Sequence, residues 1–221
     1  MGEIDNNGRM ELTQIISAVL EYDLEVETFM EIGSKDGHDA AFLADALSLK
    51  SKNVYILEAH PAFYKMIMKT YPHYKVFNMA AWNETTQIEF NAARNRDDGR
   101  SSLLSRNIYN SPAFIKTMVN ASRLDDFLIR ENIAKVDVMK IDVEGAAFEV
   151  LKGLGSALEE VKLIQVETEL KKVWKDQRIK EEVFEFMTSS GFKLIWDTDV
   201  GNTQNDSVWV KSSYVARKSH K

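Results

Sequence analysis

Apolar positions recur along this chain in two periods, one near 3.6 and one near 2, and stretches of the two kinds alternate. Residues 10–22, "MELTQIISAVLEY", set Leu12, Ile15, Ile16, Val19 and Leu20 at helical spacing, which predicts an amphipathic helix at the start. "VETFMEIG" then reads as a strand closing at Gly33, and "DGHDAAFLADALSLK" as a helix with Phe42, Leu43, Ala46 and Leu47 on one face. "NVYILEA" predicts a second strand. "PAFYKMIMKTY" predicts a helix with Pro61 in its first turn, where the missing N–H costs nothing. "YKVFNMAAW" predicts a third strand. This alternation signals a parallel sheet covered by helices, with right-handed crossovers.

The alternation then breaks. "TQIEFNA" predicts an edge or hairpin strand, "FIKTMVNAS" another extended run, and the polar stretch between them carries Arg94, Arg96, Arg100 and Arg106. After a short helix in "RLDDFLIRENI" the pattern resumes with "DVMKIDVEGAAFEVLKGL", residues 137–154, a buried strand running into an amphipathic helix. "VKLIQVETE" follows as a strand and "RIKEEVFEFMTSSG" as a helix ending at Gly191. "FKLIWDT" and "DSVWVKSS" pair as an antiparallel hairpin across the turn-rich "DVGNTQN". The expected fold class is α/β and Rossmann-like: a seven-stranded, mostly parallel sheet with a terminal antiparallel β-hairpin and helices on both faces. One domain is expected over 1–221, with an N-terminal helix in 1–25, an inserted hairpin or lid region in 83–122 and a basic tail in 212–221.

Composition narrows the function classes. The 221 residues suit one large domain, and 44% hydrophobic with 28% charged residues is ordinary for a globular chain. No cysteine is present, which excludes disulfides, thiolate catalysis and zinc–thiolate sites. No apolar run approaches the roughly 20 residues of a spanning helix, and the polar N-terminus lacks a secretory pattern, so a cytoplasmic location is expected. A net charge of −6 argues against a broad nucleic-acid footprint but leaves room for a local basic patch.

The loop "EIGSKDGHD" after the first strand places Glu31, Gly33, Ser34, Lys35 and Gly37 at a strand-to-helix turn whose N–H groups face a ligand. A dinucleotide fingerprint would put glycine where Lys35 stands, since that glycine lets the backbone approach a pyrophosphate. The turn therefore suits a ligand without pyrophosphate, such as S-adenosylmethionine, although any sharp strand-to-helix turn carries glycines. Glu58, closing the second strand in "YILEAHP", is placed to accept from ribose hydroxyls, with Ala59 beside it and Asn78 and Ala80 bordering an adenine. The plain alternative for Glu58 is an acid at a helix N-terminus.

Lys140, Asp142 and Glu144 stand at alternate positions before Gly145, so an extended strand would turn all three to one side. Helix capping accounts for the two acids but not for a lysine inside a strand, where an unpaired charge is costly. An ion pair with Asp142 or a neighbouring carboxylate would offset that cost. Glu167, in "VETE", reaches the same rim. Such a cluster points to acid–base work, with a Mg²⁺ or Ca²⁺ site as the lesser reading, and no metal ligand is assigned. The histidines show no metal-ligand spacing; His60 and His38 lie beside the expected adenosine site.

"MKIDVEGAAFEVLKGL" closely resembles the signature of the FkbM family of S-adenosylmethionine-dependent methyltransferases. "EIGSKDGHD", "ILEAHP", "FNMAAW", "GRSSLL", "SRLDDFL" and "IQVETE" follow in the family's order, over about residues 27–210. Lys35 and Ala59 depart from the pattern, which usually has Asn or a small residue and Pro there. The resemblance implies a class I methyltransferase fold with S-adenosylmethionine as cofactor, acting on a hydroxyl of a sugar or other small metabolite. The expected cofactor contacts are Glu31, Gly33, Ser34, Lys35, Gly37, Glu58, Ala59, Asn78, Ala80 and Asp142, and the expected catalytic residues are Asp142, Glu144 and Glu167. Arg100, Ser101 and Ser102 are the expected acceptor-binding residues, in a lid. A nicotinamide-dependent oxidoreductase and a non-catalytic module that binds the adenosine cofactor are the alternatives.

Overall fold

In the computed structural model, which describes residues 10–94, 100–105 and 114–218, the predicted alternation builds a sheet and its covering helices. In chain order the elements begin with α1 (Met10–Glu21), β1 (Phe29–Ile32), α2 (His38–Ala46), β2 (Val54–Leu57), α3 (Pro61–Thr70), β3 (Lys75–Phe77), β4 (Ala80–Ala81), β5 (Thr86–Ala93) and β6 (Phe114–Ser122). They continue with α4 (Leu124–Arg130), β7 (Val138–Ile141), α5 (Ala147–Gly153), β8 (Leu163–Glu169), α6 (Lys180–Ser189), β9 (Phe192–Val200), β10 (Gln204–Lys211) and α7 (Ser212–Lys218).

Seven strands form one sheet in the order β3-β2-β1-β7-β8-β10-β9, parallel except where β10 pairs with β8 and β9. The chain starts in the middle, winds outward to β3, then returns to β7 on the other side of β1. The carboxyl ends of β1 and β7 are thus adjacent where the winding reverses, which is where an open α/β sheet offers its ligand crevice.

Two cores explain why β1, β2 and β7 are buried at every position. Phe29, Val54, Val138 and Leu163 pack with Leu12 and Ile15 of α1 and Leu43 of α2 on one face. Met30, Tyr55, Met139 and Ile164 pack with α4, α5 and α6 on the other. At the amino-terminal edge, Asp137 accepts from the N–H groups of Glu27 (2.8 Å) and Thr28 (3.1 Å) and pairs with Lys162 at 3.0 Å.

Two local expectations change, and the inserted hairpin forms as expected. The run "YKVFNMAAW" is not one strand: β3 stays in the main sheet, while β4 joins a separate three-stranded sheet in the order β4-β6-β5. There "TQIEFNA" and "FIKTMVNAS" pair antiparallel, with Phe90, Val119 and Ala121 buried beneath. Residues 212–218 form α7 rather than a tail, because Tyr214 and Val215 pack against the α1-side core.

Candidate active site

The turn after β1 is fixed by a close backbone approach. Gly33 has φ 79°, and a Cβ on it would lie 1.8 Å from the Asp142 carbonyl oxygen, so the β1 and β7 ends meet only with glycine there. The N–H groups of Ser34 (3.1 Å) and Lys35 (2.8 Å) donate to Glu58 Oε2, and that of His60 donates to Oε1 at 2.6 Å. Burial raises the Glu58 pKa, and these three hydrogen bonds oppose the rise. A carboxylate offers about four acceptor positions, so about one remains for a ligand hydroxyl.

Below the turn lies a buried ionic row. Glu31 of β1, Lys140 of β7 and Gln165 of β8 are register neighbours, all almost fully buried. The ion pair expected of Lys140 is present: its ammonium lies 3.0 Å from Asp142, 3.4 Å from Asp39 and 4.0 Å from Glu31. Burial disfavours its charge, but Asp142, Glu31 and Asp39 together hold its pKa well above the ordinary value. Burial also pushes Glu31 up to about 8, against the pull of Lys140. Ser34 Oγ donates to Glu31 from above.

The strand geometry of β7 stops at Ile141. Glu144 has a left-handed φ of 49°, so it is carried by a turn and not by the extended strand that would align it with Lys140 and Asp142. Ser102 holds that turn: its buried Oγ donates to the Glu144 carbonyl at 2.6 Å and accepts from the Leu104 N–H. Glu167 follows on β8. Burial and then the charges of Asp142 and Glu144 raise its pKa well above the usual carboxylate range.

These ends enclose a cavity of about 310 Å³. Gly33, Ser34, Lys35, Glu58 and Ala59 line one side, and Lys140, Asp142, Glu144 and Glu167 the other. Leu57, Phe63, Met79, Ala80, Phe90 and Leu103 supply apolar surface, and Ser101 reaches it from the small sheet. Five expected residues do not line it. Glu31 is buried beneath, and Gly37 is the N-cap of α2. Asn78 instead donates from Nδ2 to the carbonyls of Glu58 (2.9 Å) and Ala59 (3.1 Å), fastening the strand end. Ser102 supports Glu144, and Arg100 is exposed. Of the expected lid, Arg96 and Arg106 lie outside the described residues. His60 is a helix cap: Nδ1 accepts from the Ala62 N–H, and the ring stacks on Phe63.

Sequence reasoning missed Asp39, Glu169 and the hairpin residues Phe90 and Leu103. Asp39 had a signal, an acid in the first turn after the glycines. So did Glu169, two positions beyond Glu167 on the same face of β8. Phe90 and Leu103 had none, since their place depends on how the small sheet folds over the large one.

The cavity suits an adenosine-bearing sulfonium: a buried acid with an acceptor position left at one end, apolar walls for a base, and carboxylates at the other end. The model of the methyltransferase FkbM domain matches residues 31–194, from Glu31 through the whole carboxylate motif. The chain belongs to the FkbM methyltransferase family. No curated protein sequence matches it. Among solved structures it resembles the FkbM methyltransferase of Methylobacillus flagellatus KT, with a TM-score of 0.53 and 13% identity, over 82% of this chain and 43% of that one. The chain thus spans less than half the length of that protein. It also resembles M. capricolum TrmK in complex with S-adenosylhomocysteine, with a TM-score of 0.50 and 8% identity, over 91% of this chain and 68% of that one. A putative tRNA (m1A22) methyltransferase of Streptococcus pneumoniae in complex with S-adenosylmethionine has a TM-score of 0.50 and 12% identity, covering 90% and 72%. At these identities the likeness is one of fold, the class I methyltransferase sheet. S-adenosylmethionine is the cofactor, and the nicotinamide alternative falls with that assignment. No helix among the described residues is long and apolar enough to cross a membrane.

Proposed function

We propose that the chain methylates a hydroxyl oxygen of a sugar or other small polar metabolite, with S-adenosylmethionine as methyl donor. The observation that carries this reading is the division of one cavity between the Glu58-bound glycine turn and the Asp142, Glu144 and Glu167 carboxylates. Bound there, the cofactor supplies an electrophilic methyl group on sulfur. The Glu58 carboxylate, itself fixed by the Ser34 and Lys35 N–H groups, would hold its ribose end, with Leu57, Met79, Ala80 and Phe90 around the base. Asp142, kept in place by Lys140, would face its amino group.

The chain's further task is to align an acceptor oxygen and take its proton. Glu144 and Glu167 stand at that end of the cavity. As an acceptor oxygen takes the methyl group and S-adenosylhomocysteine is left, the hydroxyl proton would pass to one of these carboxylates. Carboxylates on this rim also repel phosphates, which favours a neutral polyhydroxyl acceptor over a nucleic acid.

Release of S-adenosylhomocysteine, followed across a panel of sugars, glycosides and hydroxylated metabolites with tRNA as a parallel substrate, tests this reading. Turnover on a hydroxyl acceptor is expected. Methylation of tRNA alone, or cofactor binding without turnover on any acceptor, would overturn it; the second outcome would instead support a non-catalytic module.

A further inference from the structure

Three carboxylates at the acceptor end converge more closely than an acid–base role requires. Glu144, Glu167 and Glu169 each present an oxygen, and these oxygens lie within 4.8 Å of one another. Glu167 and Glu169 come from alternate positions of β8, and Glu144 from the left-handed turn after β7.

Glu169 is 3% exposed, and its Oε1, like Glu167 Oε1, is buried with no hydrogen-bond partner among the described residues. Gln177 lies near enough to lower the Glu169 pKa, yet its Nε2 completes no hydrogen bond of acceptable geometry. No ion pair reaches Glu167 or Glu169 among the described residues, and the Lys140 ammonium is engaged by Asp142, Asp39 and Glu31. A buried acceptor left unsatisfied costs about 1–3 kcal/mol, more when charged. Two such acceptors on side chains of one cluster call for a ligand.

We propose that Glu144, Glu167 and Glu169 form a binding site for a divalent cation of the hard, oxygen-seeking class: Mg²⁺, Mn²⁺ or Ca²⁺. The geometry agrees with the ion. Oxygens on opposite sides of Ca²⁺ are separated by roughly twice its ligand distance of 2.3–2.6 Å, and Mg²⁺ needs the same oxygens drawn in to about 2.0–2.1 Å. Three carboxylates leave coordination positions open for water or an acceptor oxygen from the cavity that Glu144 and Glu167 line. The cation's use in methyl transfer rests on the proposed function: it would lower the pKa of a bound acceptor hydroxyl and so ease the loss of its proton. The cation site itself stands without it.

The test is a titration of the chelator-treated full chain with Mn²⁺ at pH 8.5, reading free Mn²⁺ by electron paramagnetic resonance. Binding of one Mn²⁺ per chain is expected, displaced by excess Mg²⁺ or Ca²⁺ and weakened at least tenfold in Glu169→Gln. Affinity for S-adenosylhomocysteine, measured on the same variant by calorimetry, is expected to stay within about twofold of the parent. Should Glu169→Gln not fold, Glu167→Gln takes its place with the same expected loss. Absence of stoichiometric Mn²⁺ binding to the parent, or parent-like binding by the folded variant, would overturn the site. Failure of the parent to bind S-adenosylhomocysteine would overturn the function reading instead and leave the metal result standing.

Discussion

The Lys140 ammonium lies 3.0 Å from the Asp142 carboxylate, two positions further along the same chain, and is shared with Asp39 of α2 and Glu31 of β1. One buried cation therefore joins three elements directly beneath the cavity. Removing it leaves Glu31 buried, and the part-exposed Asp39 and Asp142 beside it, with no cation between them, the costly way to break a buried ion pair. Lys140→Met should lower unfolding free energy by about 3–5 kcal/mol in denaturant titration. Adding Glu31→Gln should recover part of that loss. A single variant within 1 kcal/mol of the parent would show that the row adds little.

Glu31 also makes stability depend on pH. Its pKa is raised from 4.5 to about 8 by burial, with Asp39 and Asp142 adding to the rise and Lys140 and Ser34 opposing it. Between those two values the folded chain holds a proton that the unfolded chain has released, so stability falls as pH rises from about 5 to 8 and levels off above. Glu31→Gln should flatten part of this slope in melting temperature. Equal slopes for variant and parent would contradict the assignment.

Lys35 occupies a left-handed conformation, φ 58°, that costs a side-chain-bearing residue about 1–2 kcal/mol. Asn tolerates that region better, which is a physical reason for the residue the family usually carries there. Lys35→Asn should raise stability by up to about 1 kcal/mol, read as a melting temperature a few degrees higher. A lower melting temperature would mean that the Lys35 side chain contributes contacts worth more than the strain.

Glu58 ties the glycine turn to the second strand through three N–H groups. Glu58→Ala should weaken S-adenosylhomocysteine binding by about 1.5–3 kcal/mol, the scale of a lost hydrogen bond to a charged group. Calorimetry checks this, and unchanged affinity would remove Glu58 from the cofactor site.

Glu144→Gln should leave the fold and cofactor affinity intact while turnover falls by about 10²–10⁴, the usual cost of losing a general base. Asp142→Asn should weaken cofactor binding as well. Near-parental turnover by Glu144→Gln on the true acceptor would assign the proton to another group.

Period and spacing alone determined the strand–helix alternation, the turn at Gly33, the acid closing β2 and the lysine that needed a partner. Each of these is a local demand: a face to bury, a left-handed turn, a charge inside a strand. Tertiary structure decided what depended on residues far apart in the chain. The run after Lys75 divides at Asn78 because the Asn78 side chain binds the Glu58 and Ala59 carbonyls, and Ala80 then pairs with Ala121 in another sheet. Ser102 proved to be a support for the Glu144 turn, 42 positions away, instead of a cavity wall. Glu144 left the strand because the chain turns at Gly145 while in a left-handed conformation, so alternation no longer sets its direction. Asp39 and Glu169 each had a local signal, but packing set their place in the site: Asp39 of α2 comes within 3.4 Å of Lys140, and β8 extends past β7 beside the Glu144 turn. Periodicity assigns a residue to a face, but strand order, register and crossover place that face against its neighbours.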